Sequence, residues 1–209
     1  MKKYLIKLLF LAVFFSLNSI ADLGPEDLVK KTAEDVLFAI KTDQEIHKGN
    51  KEKIYQLAEE KILPNFDFEK VARLVLGRAW RSASDDQKKG FIIEFRTLLL
   101  KTYAVALSKY KNQKIEFKPT RMSDTDEIVI VKSEIIQGGA QPIRVNYALS
   151  KKTGKWLVFD IVIEGVSLVT NYRSQFSSEI KKNGMDVLIS KLAKKIKARK
   201  RNESNRISK

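Results

Sequence analysis

No cysteine occurs anywhere in the chain, which excludes structural disulfides, thiolate-held metals, a thiol nucleophile and a lipid-modified N-terminal cysteine. Histidine is nearly absent too. His47 is the only one, and beside a Gly49-Asn50 turn a solvated surface imidazole is its ordinary reading. No Ser-His-Asp constellation and no HExxH or other zinc-holding spacing can be drawn, and no GxGxxG or GxxxxGK phosphate loop is present. The adjacent carboxylates Glu59-Glu60 and Asp85-Asp86 fall in helical segments, where neighbours point in different directions and read as surface. The sequence thus offers no catalytic constellation, no metal site and no cofactor motif, and the expectation is a protein that is not an enzyme.

Long apolar runs are equally scarce. One stretch, Leu8 to Leu17, follows Met1-Lys2-Lys3 and leads to Ser19-Ile20-Ala21, the layout of a cleavable secretory signal peptide covering residues 1–21. The run is roughly half of the ~20 residues that a membrane span requires. Removing 21 of 209 residues leaves 188, enough for one domain with its own core, expected over 22–196 in the periplasm. The formal charge is +15; Lys2, Lys3 and Lys7 account for three, leaving +12 on the mature chain. Such an excess attracts polyanions, but export argues against nucleic acid. Much of it lies in Lys191, Lys194, Lys195, Lys197, Arg199, Lys200 and Arg201, which read as a solvated helix end continuing into a basic, disordered tail over 197–209.

What the mature chain does contain is ordered: helices first, strands second, then two closing helices. Gly24-Pro25 starts a helix with Leu28, Val36, Leu37 and Ile40 on its apolar side, and a second runs from Lys51 to Leu63 before Pro64. Asp67 caps a third over Phe68 to Leu76, with Gly77 as its stop. Ser84-Asp85-Asp86-Gln87 is a capping box that opens the longest helix, through about Tyr110. Along it Phe91, Phe95, Leu98, Leu99, Thr102, Tyr103, Ala106 and Tyr110 recur at helical spacing. Core packing and ligand contact give the same stripe.

Alternation then takes over in Ile115 to Phe117, Glu127 to Ile136, Ile143 to Leu149 and Trp156 to Ile163, with turns at Gly138-Gly139 and Thr153-Gly154. Four consecutive strands joined by short turns imply a curved antiparallel meander, so the fold class is α+β. The last strand runs through Glu164-Gly165 into a helix on which Val166, Val169, Tyr172, Phe176 and Ile180 share a face, and Met185 to about Lys200 forms the final helix. Asp160 stands out inside an otherwise apolar strand, where an ionised carboxylate needs a partner. Arg173, with Tyr172 beside it, is the expected partner across the strand-helix corner, making a structural latch; a catalytic base is the alternative.

Three motifs taken together carry a resemblance. Val75-Leu76-Gly77-Arg78-Ala79-Trp80-Arg81 precedes the capping box; Phe91-x-x-x-Phe95-x-x-Leu98-Leu99-x-x-Thr102-Tyr103 follows; and Trp156-x-Val158-Phe159-Asp160-x-x-Ile163-Glu164-Gly165-Val166-Ser167-Leu168-Val169-x-Asn171-Tyr172-Arg173-x-Gln175-Phe176 closes the series. Their order and content resemble the MlaC family, periplasmic phospholipid-binding components of an intermembrane lipid transport system, also described as toluene-tolerance auxiliary components. The likeness extends over roughly Leu28 to Leu192, and the basic tail beyond Ile196 departs from it.

The resemblance implies an NTF2-like sheet with a helical part packed on it, enclosing an elongated apolar pocket for the acyl chains of a glycerophospholipid. It also implies two partners, an inner-membrane ABC transporter with a substrate-binding ring and an outer-membrane lipoprotein-porin complex, and transient proximity to membranes. No cofactor is expected, only bound glycerophospholipid as cargo. Periodicity, rather than the motifs, assigns the lipid-facing residues: Val75, Phe91, Phe95, Leu98, Leu99, Thr102, Tyr103, Tyr147, Trp156, Val158, Val162, Val166 and Val169. Two other functions fit the same chain: an NTF2-like enzyme using Asp160 as base, and a basic adaptor binding lipopolysaccharide or a membrane partner.

Overall fold

The computed structural model describes residues 23–110, 113–123 and 125–207; the expected signal peptide lies outside them. Helix α1 (Pro25–Thr42) begins with proline in its first turn. It ends at Asp43, whose carboxylate accepts from the backbone N–H of Glu45 and Ile46 and so starts the short α2 (Gln44–His47). Asn50 caps α3 (Lys51–Leu57). The helix then widens into a π-turn over Ala58–Ile62 and tightens into a 3-10 turn over Leu63–Asn65. The proline of the Leu63-Pro64 step falls inside that 3-10 turn, so the expected single helix reaches Leu63 only by changing its winding twice.

Asp67 caps α4 (Phe68–Leu76), which stops at Gly77, where φ is 57° and ψ is −119°. That backbone conformation is nearly closed to residues with a Cβ, and it reverses the chain into α5 (Arg78–Ser82) after a single residue. The capping box forms as expected: Ser84 Oγ accepts from Gln87 N–H, and the Gln87 side chain accepts from Ser84 N–H, each at 3.1 Å. It opens α6 (Asp85–Tyr103), which tightens into a 3-10 segment over Ala104–Lys109.

The sheet is an antiparallel meander in the order β1 (Lys114–Lys118), β2 (Ile128–Ile136), β3 (Ile143–Lys152), β4 (Lys155–Ile163) and β5 (Val166–Ser167). The expected four strands gain a fifth of two residues, because Glu164-Gly165 is a hairpin turn. Both residues have positive φ, 48° and 82°, as do Thr153 (49°) and Gly154 (90°) between β3 and β4. Two-residue turns of this hand match the twist of the strands they join. β4 carries a bulge: Val158 pairs with Leu149 and Asp160 with Ala148, so Phe159 has no partner in the β3 register. Helix α7 (Leu168–Asn183) follows β5, and α8 (Met185–Ile207) follows Gly184. The backbone stays helical across the residue-196 boundary expected for a tail, consistent with the good helix propensity of Lys and Arg.

Buried residues divide into three clusters. The first joins α4, α6, α7 and α8 around Phe91, Phe95, Tyr172 and Phe176. Its rings lie in edge-to-face contact, with centroids 5.0 Å apart for Phe95 and Tyr172, 5.5 Å for Phe95 and Phe176 and 5.7 Å for Phe91 and Phe176, a geometry that adds to simple burial. The second joins α1, α2, α3 and the end of α6. The third holds Val29 of α1 against Val129, Val131, Leu149, Trp156 and Val158 of the sheet.

Glu26 fastens α1 at its N-terminal end. It takes a hydrogen-bonded ion pair from Lys30 at 2.6 Å and the Thr120 N–H at 3.0 Å, and these donors, Lys30 first, hold its carboxyl below the usual range. A depressed folded-state value stabilises the fold above the unfolded value and loses that contribution as pH falls through the folded one. Thermal unfolding by circular dichroism should therefore show Glu26→Gln less stable than the wild type near neutrality, with the two curves converging as pH falls through the folded-state value. A constant offset across that range would remove Glu26 as the titrating clasp.

Candidate functional site

Between the sheet and the helices lies apolar space in two adjoining cavities of about 260 and 270 Å3. The first, towards the end of α6, is lined by Leu99, Leu100 and Tyr103 of that helix, Ala104, Ala106 and Leu107 of the 3-10 segment, Ala58, Ile62 and Leu63 of the π and 3-10 turns, Phe66, Phe68, Ile161, Ile163 and Leu168. The second lies under α1, between Leu28, Val29, Thr32, Ala33, Val36 and Leu37 and the strand residues Ile115, Ile135, Tyr147, Val158 and Ile161, with Ile62, Asn65, Phe66 and Leu107 completing it. Ile62, Phe66, Leu107 and Ile161 line both and form the waist between two lobes.

Local chemistry explains why these residues face inward. A π-turn puts an extra residue into one helical turn, and such bulges recur at functional sites because they swing side chains out of helical register. Here the turn delivers Ala58 and Ile62 to one lobe. Phe66 is pinned to the sheet: it forms a parallel bridge with Val158, and the Asp67 N–H donates to the Val158 carbonyl at 3.0 Å. Asp67 is itself 6% exposed and accepts from Lys70 N–H and from Lys152 Nζ at 3.4 Å. Glu69 also holds Lys152, at 3.1 Å, and with Asp67 raises the affinity of that ammonium for its proton.

The bulge at Phe159 has the largest effect on the strand wall. Side chains alternate along a strand, so Trp156, Val158, Asp160 and Val162 would share a face without it. With it, Val158 and Ile161 both face the cavity, Ile163 follows, and Asp160 and Val162 turn to the other side. Bulges commonly re-aim side chains in this way.

Thr32, Asn65 and Tyr147 at the cavity wall are already engaged. Thr32 Oγ1 donates to the Leu28 carbonyl at 2.7 Å, and Asn65 Nδ2 donates to Thr32 Oγ1 at 2.8 Å and to the Lys61 carbonyl at 3.0 Å. Burial pushes the Tyr147 phenol above its ordinary range, partly opposed by a hydrogen bond with Ser133. Phenol and amide therefore stay neutral, and the lining presents hydrocarbon. No group of three or more His, Cys, Asp or Glu that could hold a metal occurs among the described residues, and no described helix is long and apolar enough to cross a membrane.

Of the residues assigned from periodicity, Leu99, Tyr103, Tyr147 and Val158 line the cavities. Val75, Phe91, Phe95, Leu98 and Val169 lie instead in the helical core, and Trp156 in the core between α1 and the sheet. Thr102 is half-buried on α6 in neither lining, Val162 faces away through the bulge, and Val166 on β5 is 57% exposed. The waist residues and the α1 wall lie outside that assignment. Leu28, Val36 and Leu37 carry a signal as the apolar side of α1, one that core packing and cavity lining share.

The expected Asp160–Arg173 pair is replaced by two separate caps. Asp160 accepts from the Val169 N–H at 3.0 Å and from the Ser167 hydroxyl, while Ser167 Oγ accepts from the Thr170 N–H at 3.0 Å. A carboxylate on β4 thus closes the N-terminus of α7, where negative charge is favoured. Arg173 Nε donates to the Leu74 carbonyl at 2.6 Å, satisfying one of the C-terminal carbonyls that α4 cannot pair internally. The physical reason is reach: the bulge turns Asp160 towards the first turn of α7, one turn short of Arg173. Tyr172 packs its ring on Phe95 and Phe176.

Similarity to known proteins extends over most of the chain. A solved phospholipid-binding protein from Ralstonia solanacearum, in complex with a phospholipid, superposes with a TM-score of 0.78 at 33% identity, covering 84% of this chain and 98% of that one. The intermembrane phospholipid transport system binding protein MlaC of Haemophilus influenzae is 28% identical over 197 residues, 92% of each chain. Toluene tolerance protein ttg2D of Pseudomonas putida is 26% identical over 182 residues, 86% of this chain and 84% of its own. The family model described as MlaC protein matches residues 30–194, and the chain therefore belongs to the MlaC family.

Proposed function

We propose that this protein is a periplasmic carrier that binds a glycerophospholipid with its acyl chains in the two-lobed cavity. The observation that carries the reading is a hydrocarbon-lined cavity in which Thr32, Asn65 and Tyr147 already have partners, in a chain whose family and phospholipid-bound relative support the cargo. Shielding acyl chains from water is worth about 0.8 kcal/mol per CH2, so a lipid almost never crosses an aqueous gap unaided. A lining of Leu, Ile, Val and Phe resembles the bilayer interior, so extraction is nearly neutral and direction comes from partners. The partners are an inner-membrane ABC transporter with its substrate-binding ring and an outer-membrane lipoprotein-porin complex, and the outcome is maintenance of outer-membrane lipid asymmetry. The protein performs no chemistry on its cargo. Native mass spectrometry of gently purified protein should show added masses that organic extraction identifies as glycerophospholipid; protein free of lipid in that measurement discards the carrier.

A further inference from the structure

At the opposite end of α4 from Phe68, the Gly77 reversal folds α5 back beside α7 and leaves an open groove of about 880 Å3. Arg73, Arg78, Arg81, Arg173 and Lys181 line it, and no carboxylate does. Among the described residues some cations outside the groove are paired, Lys118 with Glu134, Arg144 with Glu164 and Lys191 with Glu179, while others stand singly on open surface; what sets this groove apart is that five cations share one concavity. None of the five groove cations makes an ion pair among the described residues. The carboxylates nearest to them in sequence are engaged by other lysines, Glu69 by Lys152, Asp85 by Lys88 and Glu179 by Lys191. Holding like charges together in a concavity costs stability and focuses a positive field, which invites an anion from outside the chain.

We propose that this groove docks an acidic peptide segment of a partner protein, its carboxylates on Arg78 and Arg81 and an apolar side chain against Trp80. Four of the five cations are arginine, whose planar fork matches a carboxylate. The half-buried Trp80 and Ile180 supply an apolar anchor between the charges, and arginine and tryptophan are the residue types that dominate docking energy. Concavity favours a segment of chain over a planar bilayer.

The full chain is titrated, by fluorescence anisotropy, into a fluorescein-labelled peptide alternating glutamate with leucine and into its glutamine counterpart. The glutamate peptide should bind tighter by about tenfold, with an affinity that falls as salt is raised. Arg78→Glu with Arg81→Glu should weaken it by about tenfold or more, while Lys53→Glu with Lys151→Glu, exposed and outside the groove, makes the same change in net charge and should leave it within about twofold. Equal losses in both double variants, equal binding of both peptides, or no binding overturn the proposal. So does an Arg78- and Arg81-dependent affinity for phosphatidylglycerol vesicles without one for the peptide. Lipid retention by Arg78→Glu/Arg81→Glu should match the wild type, because neither residue touches the cavity, so failure of the docking groove and failure of the carrier are read separately.

Discussion

Leu107→Trp is expected to give a folded protein that leaves purification without bound phospholipid. Leu107 lies in the 3-10 segment after α6 and, with Ile62, Phe66 and Ile161, lines both lobes. An indole there fills the waist through which chains in one lobe meet the other. Excluding about four methylenes, at ~0.8 kcal/mol each, costs about 3 kcal/mol, close to two orders of magnitude in retention. Because the added ring enters space rather than a packed core, the melting temperature should stay level or rise. Circular dichroism checks the fold and native mass spectrometry the cargo. A folded Leu107→Trp protein with its full lipid complement would place the lipid elsewhere.

How much of this was legible depends on whether a feature leaves a chemical trace in the chain. Caps do: Asp67, the Ser84 and Gln87 box and Gly77 mark their helix ends because each supplies a group or a backbone freedom that its neighbours lack. Strands and their two-residue turns do as well, since β-branched alternation and Thr153-Gly154 or Glu164-Gly165 serve few other purposes. The π-turn at Ala58–Ile62 leaves none; its sequence, Ala-Glu-Glu-Lys-Ile, is ordinary for an α-helix. The 3-10 winding of Ala104–Lys109 is hidden for the same reason, because three- and four-residue spacings overlap over so short a run.

The candidate site suffered more than the fold. On α6, Phe91, Phe95 and Leu98 enter the helical core while Leu99, Leu100 and Tyr103, barely a turn on, face a lobe. Period alone does not separate an apolar face that meets other helices from one that meets a cavity. On β4 a single unpaired residue, Phe159, exchanges Val162 for Ile161 and Ile163. Its aromatic ring packs against the helical core, with Lys70 Nζ 4.0 Å from the ring centroid. What decides the bulge is that tertiary contact, made by residues distant in sequence.

The same bulge makes Asp160 a polar residue whose loss should cost the fold heavily. Asp160→Ala removes a carboxylate that accepts from the Val169 N–H and the Ser167 hydroxyl, and hydrogen bonds to charged groups contribute about 1.5–3 kcal/mol each. Partial solvent access and some rearrangement of Ser167 offset part of this, for a net loss of about 3 kcal/mol. In a domain of this size each kcal/mol lowers the melting temperature by roughly 2–4 °C, so a fall of roughly 6–12 °C is expected. Lipid should be held less firmly as well. Leu168, the first residue of the capped helix, and Ile161 and Ile163, one and three residues after Asp160 on the strand, line one lobe, so freeing the corner loosens that wall. Asp160→Asn separates this role from catalysis. Its amide oxygen still accepts from Val169 and its amide nitrogen still meets Ser167 Oγ, so about 1 kcal/mol is lost and most lipid is retained. A general base would instead lose all activity in Asp160→Asn at nearly unchanged stability. An Asp160→Ala protein that melts with the wild type and keeps its lipid would show that the carboxylate caps nothing of consequence.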